Sequence, residues 1–411
     1  MSPLPLRQED RRARRRPAAA RVLICGASIG GPTLAYWLRR HGFEVTVVER
    51  APALRPGGQA IDVRGAALDV AERMGVLDGI RRRSTALRGM SVVDEDGTEL
   101  SRTTERTASG GEIASPDVEI LRDDLCRILY EASGDGVEYL FGDSVATLVQ
   151  DEDEVRVLFE SGTSRGFDLV VGADGVHSDT RRLVFGPEER YLRHLGAYLS
   201  VWSVPNLLDL DHWEVVYRMS RPDVWGALVM SVRGNAEARV FVGIESDEAP
   251  ADFLPRDPAA QKRLIADTYK DARWELPRFL DHMWTAPDFH CDALAQIHMD
   301  TWSRGRVALL GDAGYCGSPA SGQGTTVAMV GAYVLAGELK AAGGDHREAF
   351  AAYEEQLRPF VAMNQHVAVA NRERMRRQLA EDVGELSAIP EDGSELAEVY
   401  RRISAFELKD Y

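Results

Sequence analysis

Apolar residues in this chain fall into short runs closed by glycine or acidic turns, alternating with stretches of helical spacing. Val22 to Cys25 is such a run, of the kind a buried parallel strand shows. The next segment has helical spacing through Trp37 and Leu38 and stops near Gly42, and Val45 to Val48 predicts a second strand. Residues 66–75 predict a helix, Val92 to Leu100 a hairpin turning at Asp96-Gly97, and 101–115 a polar, flexible excursion. A helix is expected over 118–134, with Leu121, Leu125, Ile128 and Leu129 on one face and Arg122 beside it. Residues 137–172 read as strands around acidic turns, and Ser178 is placed to cap the helix that follows. From about 190 to 300, strand-like segments follow one another with short polar turns, and two helices are expected within 258–284. The chain then returns to strand, glycine-rich loop and helix over 306–326, with a long helix over 346–377 and a short one at the end.

Three of these segments share one form, a strand running into a Gly or Asp-Gly turn and then a helix: 22–31, 169–181 and 307–324. In the first, Gly26, Ser28 and Gly31 occupy the fixed positions of a dinucleotide fingerprint. Gly26 permits the sharp turn, Ser28 is small enough for a pyrophosphate to approach backbone, and Gly31 lets the helix pack closely. Glu49 ends the second strand, where a carboxylate takes a ribose hydroxyl, and this suits NAD and FAD equally. In an open parallel sheet such turns gather at the carboxyl ends of the strands. Three of them suggest an elongated ligand with ribose, pyrophosphate and a further polyol, which describes FAD better than NAD. The fold class expected is α/β: a Rossmann-like FAD-binding domain, an inserted mainly antiparallel substrate domain, and C-terminal helices. The division expected is a disordered tail at 1–20, nucleotide-binding segments at 21–189 and 301–377, the inserted domain at 190–300, and a helical end at 378–411.

Composition narrows the partners. A net charge of −16 argues against nucleic acid or an anionic membrane surface. The cysteines (Cys25, Cys126, Cys291, Cys316) are scattered without a CxxC pair, which fits a reducing compartment and no cysteine-based metal site. No apolar run reaches the roughly 18 residues that a membrane span needs. The Arg-rich start could serve as a twin-arginine export signal, but the apolar segment that would follow is the Val22–Cys25 strand that the fold needs. A tail and a cytoplasmic location are therefore expected.

With these motifs in place, the chain resembles the FAD-dependent aromatic hydroxylases of the para-hydroxybenzoate hydroxylase type. It is most similar to the shorter members that act on polycyclic polyketides, including the tetracycline-inactivating monooxygenases. The resemblance runs from Arg21 to about Asn371 and rests on Gly26-x-Ser28-x-x-Gly31 with Glu49-Arg50, on Asp174-Gly175 with Ser178 and Arg181, and on Gly311-Asp312 with Pro319, Gly322 and Gly324. It implies that Arg122 reaches the FAD pyrophosphate and ribityl region, and that Arg50 and Asp62 match two residues lying over the isoalloxazine. It also implies that Asp174 touches the pyrophosphate, that Asp312 contacts ribityl and ribose hydroxyls, and that Pro319 stands where flavin meets substrate. The helix after Gly322 would aim its positive end at the flavin N1/O2 edge. Two departures stand out: Gly314-Tyr315 replaces the family's usual Ala-His, and Thr325-Thr326 stand where an Asn is common.

The function implied is a single-component monooxygenase, with NAD(P)H bound transiently and O₂ consumed. Its flavin C4a-hydroperoxide would hydroxylate an aromatic or polycyclic small molecule, with Baeyer–Villiger insertion equally compatible. A flavin oxidase or desaturase, a halogenase and a non-redox FAD-binding protein are the alternatives. The halogenase lacks support because Trp202-Ser203-Val204-Pro205 is only a fragment of its signature. No metal is expected, and a monomer or homodimer is compatible with the chain. Tyr217, Met219 and Trp225 are the candidates for lining the substrate pocket, while His177 reads as a surface loop residue.

Overall fold

A computed structural model of the chain describes residues 19–221, 223–247, 257–381 and 394–411. Most of the expected tail at 1–20 lies outside these residues.

The first sheet has six strands in the order Ser303–Arg304, Val307–Leu309, Leu169–Gly172, Arg21–Cys25, Glu44–Glu49, Val137–Phe141. All its pairings are parallel except that of the short Ser303–Arg304 edge. Its central strands are buried on both faces, which explains why Val22, Leu23 and Ile24 are all apolar and all fully buried. Helices Gly30–Arg40, Gly324–Ala341 and His346–Glu381 build the largest core on one face, through Leu34, Leu38, Met329, Val330, Tyr353 and Phe360. The three-stranded sheet of Val145–Gln150, Val155–Phe159 and Ser164–Phe167 covers the other face through Val155, Val157 and Phe159.

The second sheet has seven strands, in the order His290–Ile297, Leu192–Pro205, Glu237–Glu245, Val224–Val232, Glu214–Tyr217, Met90–Val93, Glu99–Thr103. It is antiparallel except where Glu214–Tyr217 meets Met90–Val93. The last two strands come from the first third of the chain, so this sheet is not contained within 190–300. One face packs under helices Pro258–Thr268 and Leu276–Met283, through Trp202, Tyr217, Val229, Val240, Ile265 and Phe279. The opposite face carries Leu228, Met230 and Phe241 and packs on Ala60 and Leu121 of the first domain.

Two expectations are corrected. Val118–Leu121 is a strand, paired antiparallel with Ala60–Val63, and the helix begins only at Arg122. The excursion at 101–115 is ordered by pairing: Glu99–Thr103 joins the second sheet, and Arg106–Thr107 pairs with Gly111–Glu112. The Glu214 carboxylate fixes it further, accepting from the backbone N–H of Ala108 at 2.6 Å and of Ser109 at 3.3 Å.

The chain's last residues dock on the first domain. The Tyr411 hydroxyl donates to Glu338 at 2.7 Å, and Lys409 pairs with the same carboxylate at 2.7 Å. Tyr411 lies against Gly337, where a Cβ would come within 2.2 Å of its ring.

Candidate functional site

The first glycine turn is fixed by close approach. Gly26 has φ of +109°, and a Cβ there would stand 2.4 Å from the Ala173 carbonyl oxygen. At Gly31 a Cβ would be 1.9 Å from the Gly26 carbonyl oxygen, so only glycine lets this helix sit so close to the strand. No side chain caps the helix Gly30–Arg40, which leaves its first-turn N–H groups for a ligand. Glu49 closes the turn from the neighbouring strand, its two oxygens accepting from Ala27 N and Ala51 N, each at 2.9 Å. Each oxygen keeps a further lone pair for a ribose hydroxyl.

Arg122 stands at the start of its helix and reaches this turn. Its Nη2 donates to the carbonyl of Gly57 at 3.0 Å and its Nη1 contacts Cys126 Sγ at 3.7 Å. The Cys126 thiol also meets Ser28 Oγ at 3.5 Å. Ala27, Ser28, Glu49, Leu54, Arg55, Arg122 and Cys126 line one hollow, so Ser28, Glu49 and Arg122 come together as expected, and Arg55 joins them.

In the second turn, Asp174 is consumed internally. Its carboxylate accepts from the Ser178 hydroxyl and from both the N–H and hydroxyl of Thr180, at 2.9 Å each for the latter two. Ser178 caps the helix as expected, accepting from Arg181 N at 2.9 Å. The Arg181 side chain is fully buried and donates to the Ala313 carbonyl at 3.0 Å, tying the second turn to the third.

In the third turn, Gly311 has φ of +63° and is followed by Asp312. Asp312 keeps exposed surface beside the buried Ala313 to Ser318 segment. Desolvation there raises its pKa, against a hydrogen bond from Cys316 that lowers it. Pro319, Gly322 and Gly324 are likewise exposed although they stand between core segments. Gly322 adopts φ of +64°, and a Cβ on Gly324 would meet nothing within 4 Å. Helix Gly324–Ala341 has no side-chain cap, and the buried Gln323 Oε1 beside its start has no partner. An uncapped helix start, an orphaned acceptor and open space at Gly324 fit a planar group with donor and acceptor edges. Together with the hollow at Ser28 and Arg122, the set fits FAD.

The two departures from the family pattern are structural. Tyr315 is buried, hydrogen-bonded to the Tyr353 hydroxyl at 2.7 Å, and Gly331 makes room for it. Thr326 turns its hydroxyl to the Arg64 carbonyl at 3.3 Å.

Other expected residues are placed differently. Arg50 pairs with Asp179 at 3.1 Å and Asp62 with Arg64 at 2.8 Å. Tyr217 is fully buried on the helix-covered face of the second sheet, stacked on Trp274 with ring centroids 5.2 Å apart. Met219 packs on the same cluster. Both therefore belong to the helix-covered core, Tyr217 by strand alternation and Met219 in the loop that follows the strand. Trp225 lies flat on Gly243, with the Arg372 guanidinium 5.1 Å from its ring and its indole N–H donating to Glu245.

The residues that were not singled out are Arg55, Arg64 and His290. His290 opens the edge strand of the second sheet and is exposed within enclosing surroundings, as Asp312 is. Burial lowers its pKa, opposed by Asp292 and reinforced by Arg55 and Arg122. No sequence motif marks it.

Residues 19–367 match the model of the family described as FAD binding domain. An uncharacterized protein of Mycobacterium tuberculosis is 52% identical over 350 residues, covering 85% of this chain and 93% of that protein. A flavin-dependent monooxygenase from an unknown prokaryotic organism is 42% identical over 353 residues, covering 86% of this chain and 89% of that protein. The crystal structure of the tetracycline destructase Tet(51) superposes with a TM-score of 0.82 at 36% identity, over 96% of this chain and 100% of that one. A glycine turn that closes on Ala173, an uncapped second helix start and matches of this length lead to one conclusion: the chain belongs to the family of flavin-dependent monooxygenases built on this FAD-binding domain.

Proposed function

We propose that the chain is a single-component monooxygenase that holds FAD, uses NAD(P)H and O₂, and hydroxylates an aromatic or polycyclic small molecule. The observation that carries this reading is the third turn, where Asp312, the orphaned Gln323 Oε1 and the uncapped start of helix Gly324–Ala341 stand together. In this reading they form the floor of one cleft, with the hollow at Ser28, Glu49 and Arg122 at one end and the edge of the second sheet as a wall.

Each group has a task in this reading. The N–H groups at the start of helix Gly30–Arg40 and the Arg122 guanidinium hold the pyrophosphate, and Glu49 accepts from the adenosine ribose. Asp312 accepts from ribityl hydroxyls. The start of helix Gly324–Ala341 stabilises negative charge at the pyrimidine edge of the ring system. When bound, FAD supplies the redox chemistry, accepting hydride from a nicotinamide and activating O₂ for insertion. The protein excludes water and presents the substrate from the second sheet, along Leu228, Phe241 and the edge of Trp225. All four cysteines are free and buried, which supports action in a reducing compartment.

The likeness to a tetracycline destructase favours a polycyclic, polyketide-like substrate. The test is aerobic NADPH oxidation with a panel of phenols and polycyclic polyketides, tetracyclines included, with product masses read. A substrate that accelerates NADPH loss and yields a product one oxygen atom heavier is the expected result. NADPH loss that yields only peroxide with every substrate would contradict oxygen insertion.

A further inference from the structure

Beside the Asp312 turn, His177 stands between two carboxylates from distant parts of the chain. Its Nδ1 lies 2.8 Å from Glu188 Oε1, and its Nε2 lies 3.1 Å from Asp292 Oδ2. A neutral imidazole has one ring N–H and can donate to only one of them. Two such contacts therefore need both nitrogens protonated. The bonds to Asp292 and then Glu188 outweigh burial and raise the ring's pKa to about 10.

Each partner connects onward. Glu188 also accepts from Arg181 at 2.7 Å, and Arg181 donates to the carbonyl of Ala313, the residue after Asp312. Asp292 belongs to the edge strand His290–Ile297 of the second sheet. The far end of that strand is already bound to the third turn, since Ile297 N donates to the Cys316 carbonyl and Gln296 Nε2 to the Gly317 carbonyl. His177 supplies the matching attachment at the near end. Around this cluster stand Arg181, His290 and Asp312, with Tyr191, Tyr198, Cys291 and Cys316 also near its charges, and Asp174 is already satisfied by Ser178 and Thr180.

We propose that His177 is a positioning residue for FAD: as an imidazolium it draws Asp292 and Glu188 together, and so holds the edge strand of the second sheet against the Asp312 turn. This rests on the reading that Asp312 faces FAD. Without the cation, two carboxylates confront each other next to a third, Asp312, and the wall of the cleft moves outward.

The test compares wild type, His177→Gln and His177→Gln/Asp292→Asn in FAD titrations of apoprotein. The ring's protonation is followed in wild type by nitrogen NMR at pH 8, its signal assigned by its loss in His177→Gln. The single variant should bind FAD about tenfold more weakly, a coupling typical of linked sites. The double variant should recover most of this, because removing Asp292's charge removes the repulsion. A merely structural histidine would give no recovery. An unchanged affinity in His177→Gln, a double variant no better than the single one, or a neutral ring at pH 8 would each overturn the proposal. If wild type bound no FAD, the cofactor reading would fall; the latch would then be judged by the ring's protonation and by whether Asp292→Asn restores the single variant's melting temperature.

Discussion

Under the proposed function, Asp312 and Glu49 would meet FAD in different ways. Glu49 is already anchored by two backbone N–H groups, so its removal would disturb the glycine turn as well as the ribose contact. Asp312 has only the weak Cys316 thiol as a donor, its pKa is raised by desolvation, and a ligand hydroxyl would give it a stronger one. Asp312→Ala should therefore weaken FAD binding roughly tenfold to a hundredfold, the range for a charge-assisted hydrogen bond, while leaving the fold intact. Flavin retention through desalting, read against far-UV circular dichroism, checks this; unchanged occupancy would place Asp312 outside the site. At this scale the chain was readable wherever backbone geometry dictates the residue. Gly26 and Gly31 are glycines because a Cβ has no room, and that requirement is local. His177 was not readable, because its partners lie 11 and 115 residues away.

Between elements, a buried acidic cluster ties the Arg106–Glu112 hairpin to the second sheet. Glu214 is fully buried, and desolvation above all, with Glu119 adding to it, raises its pKa to about 7 against the Ser109 hydrogen bond. Asp62 nearby is raised to about 8, by burial first, with Arg64 opposing. For an acid whose folded pKa is raised, the stability contribution is complete below the unfolded value and is lost as pH rises through the folded one. Wild type should thus lose stability between about pH 4.5 and pH 7 through Glu214, on the order of 3 kcal/mol. Glu214→Gln should flatten that slope in urea melts taken across this range, and an unaltered slope would remove Glu214 as its source. The C-terminal docking makes a separate prediction. Tyr411→Ala deletes the bond to Glu338 and the ring packed on Gly337, at a cost of about 2 kcal/mol. The melting temperature should fall by a few degrees; no change would mean that the tail contributes nothing to stability. Element type was legible for the long periodic segments. It failed at Val118–Leu121, whose apolar spacing merges into the helix behind it. Pairing with Ala60–Val63 makes those four residues a strand, and pairing is a tertiary fact.

At the scale of the molecule, the two sheets are interdependent. The second borrows Met90–Val93 and Glu99–Thr103 from the first third of the chain, and its edge strand is bound to the Cys316–Gly317 loop. This is why the substrate face was misjudged at Tyr217. Alternation shows that a strand has two faces, but only the packing of helices Pro258–Thr268 and Leu276–Met283 shows which face is closed. The gathering of the three turns was legible because they share one form that a parallel sheet must bring to one edge.

Everything proposed for this chain depends on its holding FAD in a redox-competent state. The direct measurement is an anaerobic FAD titration of the apoprotein in visible absorption, followed by NADPH and then air. An oxidised-flavin spectrum should saturate at one flavin per chain, bleach with NADPH and return when O₂ is admitted. A protein that stays colourless in excess FAD would contradict it.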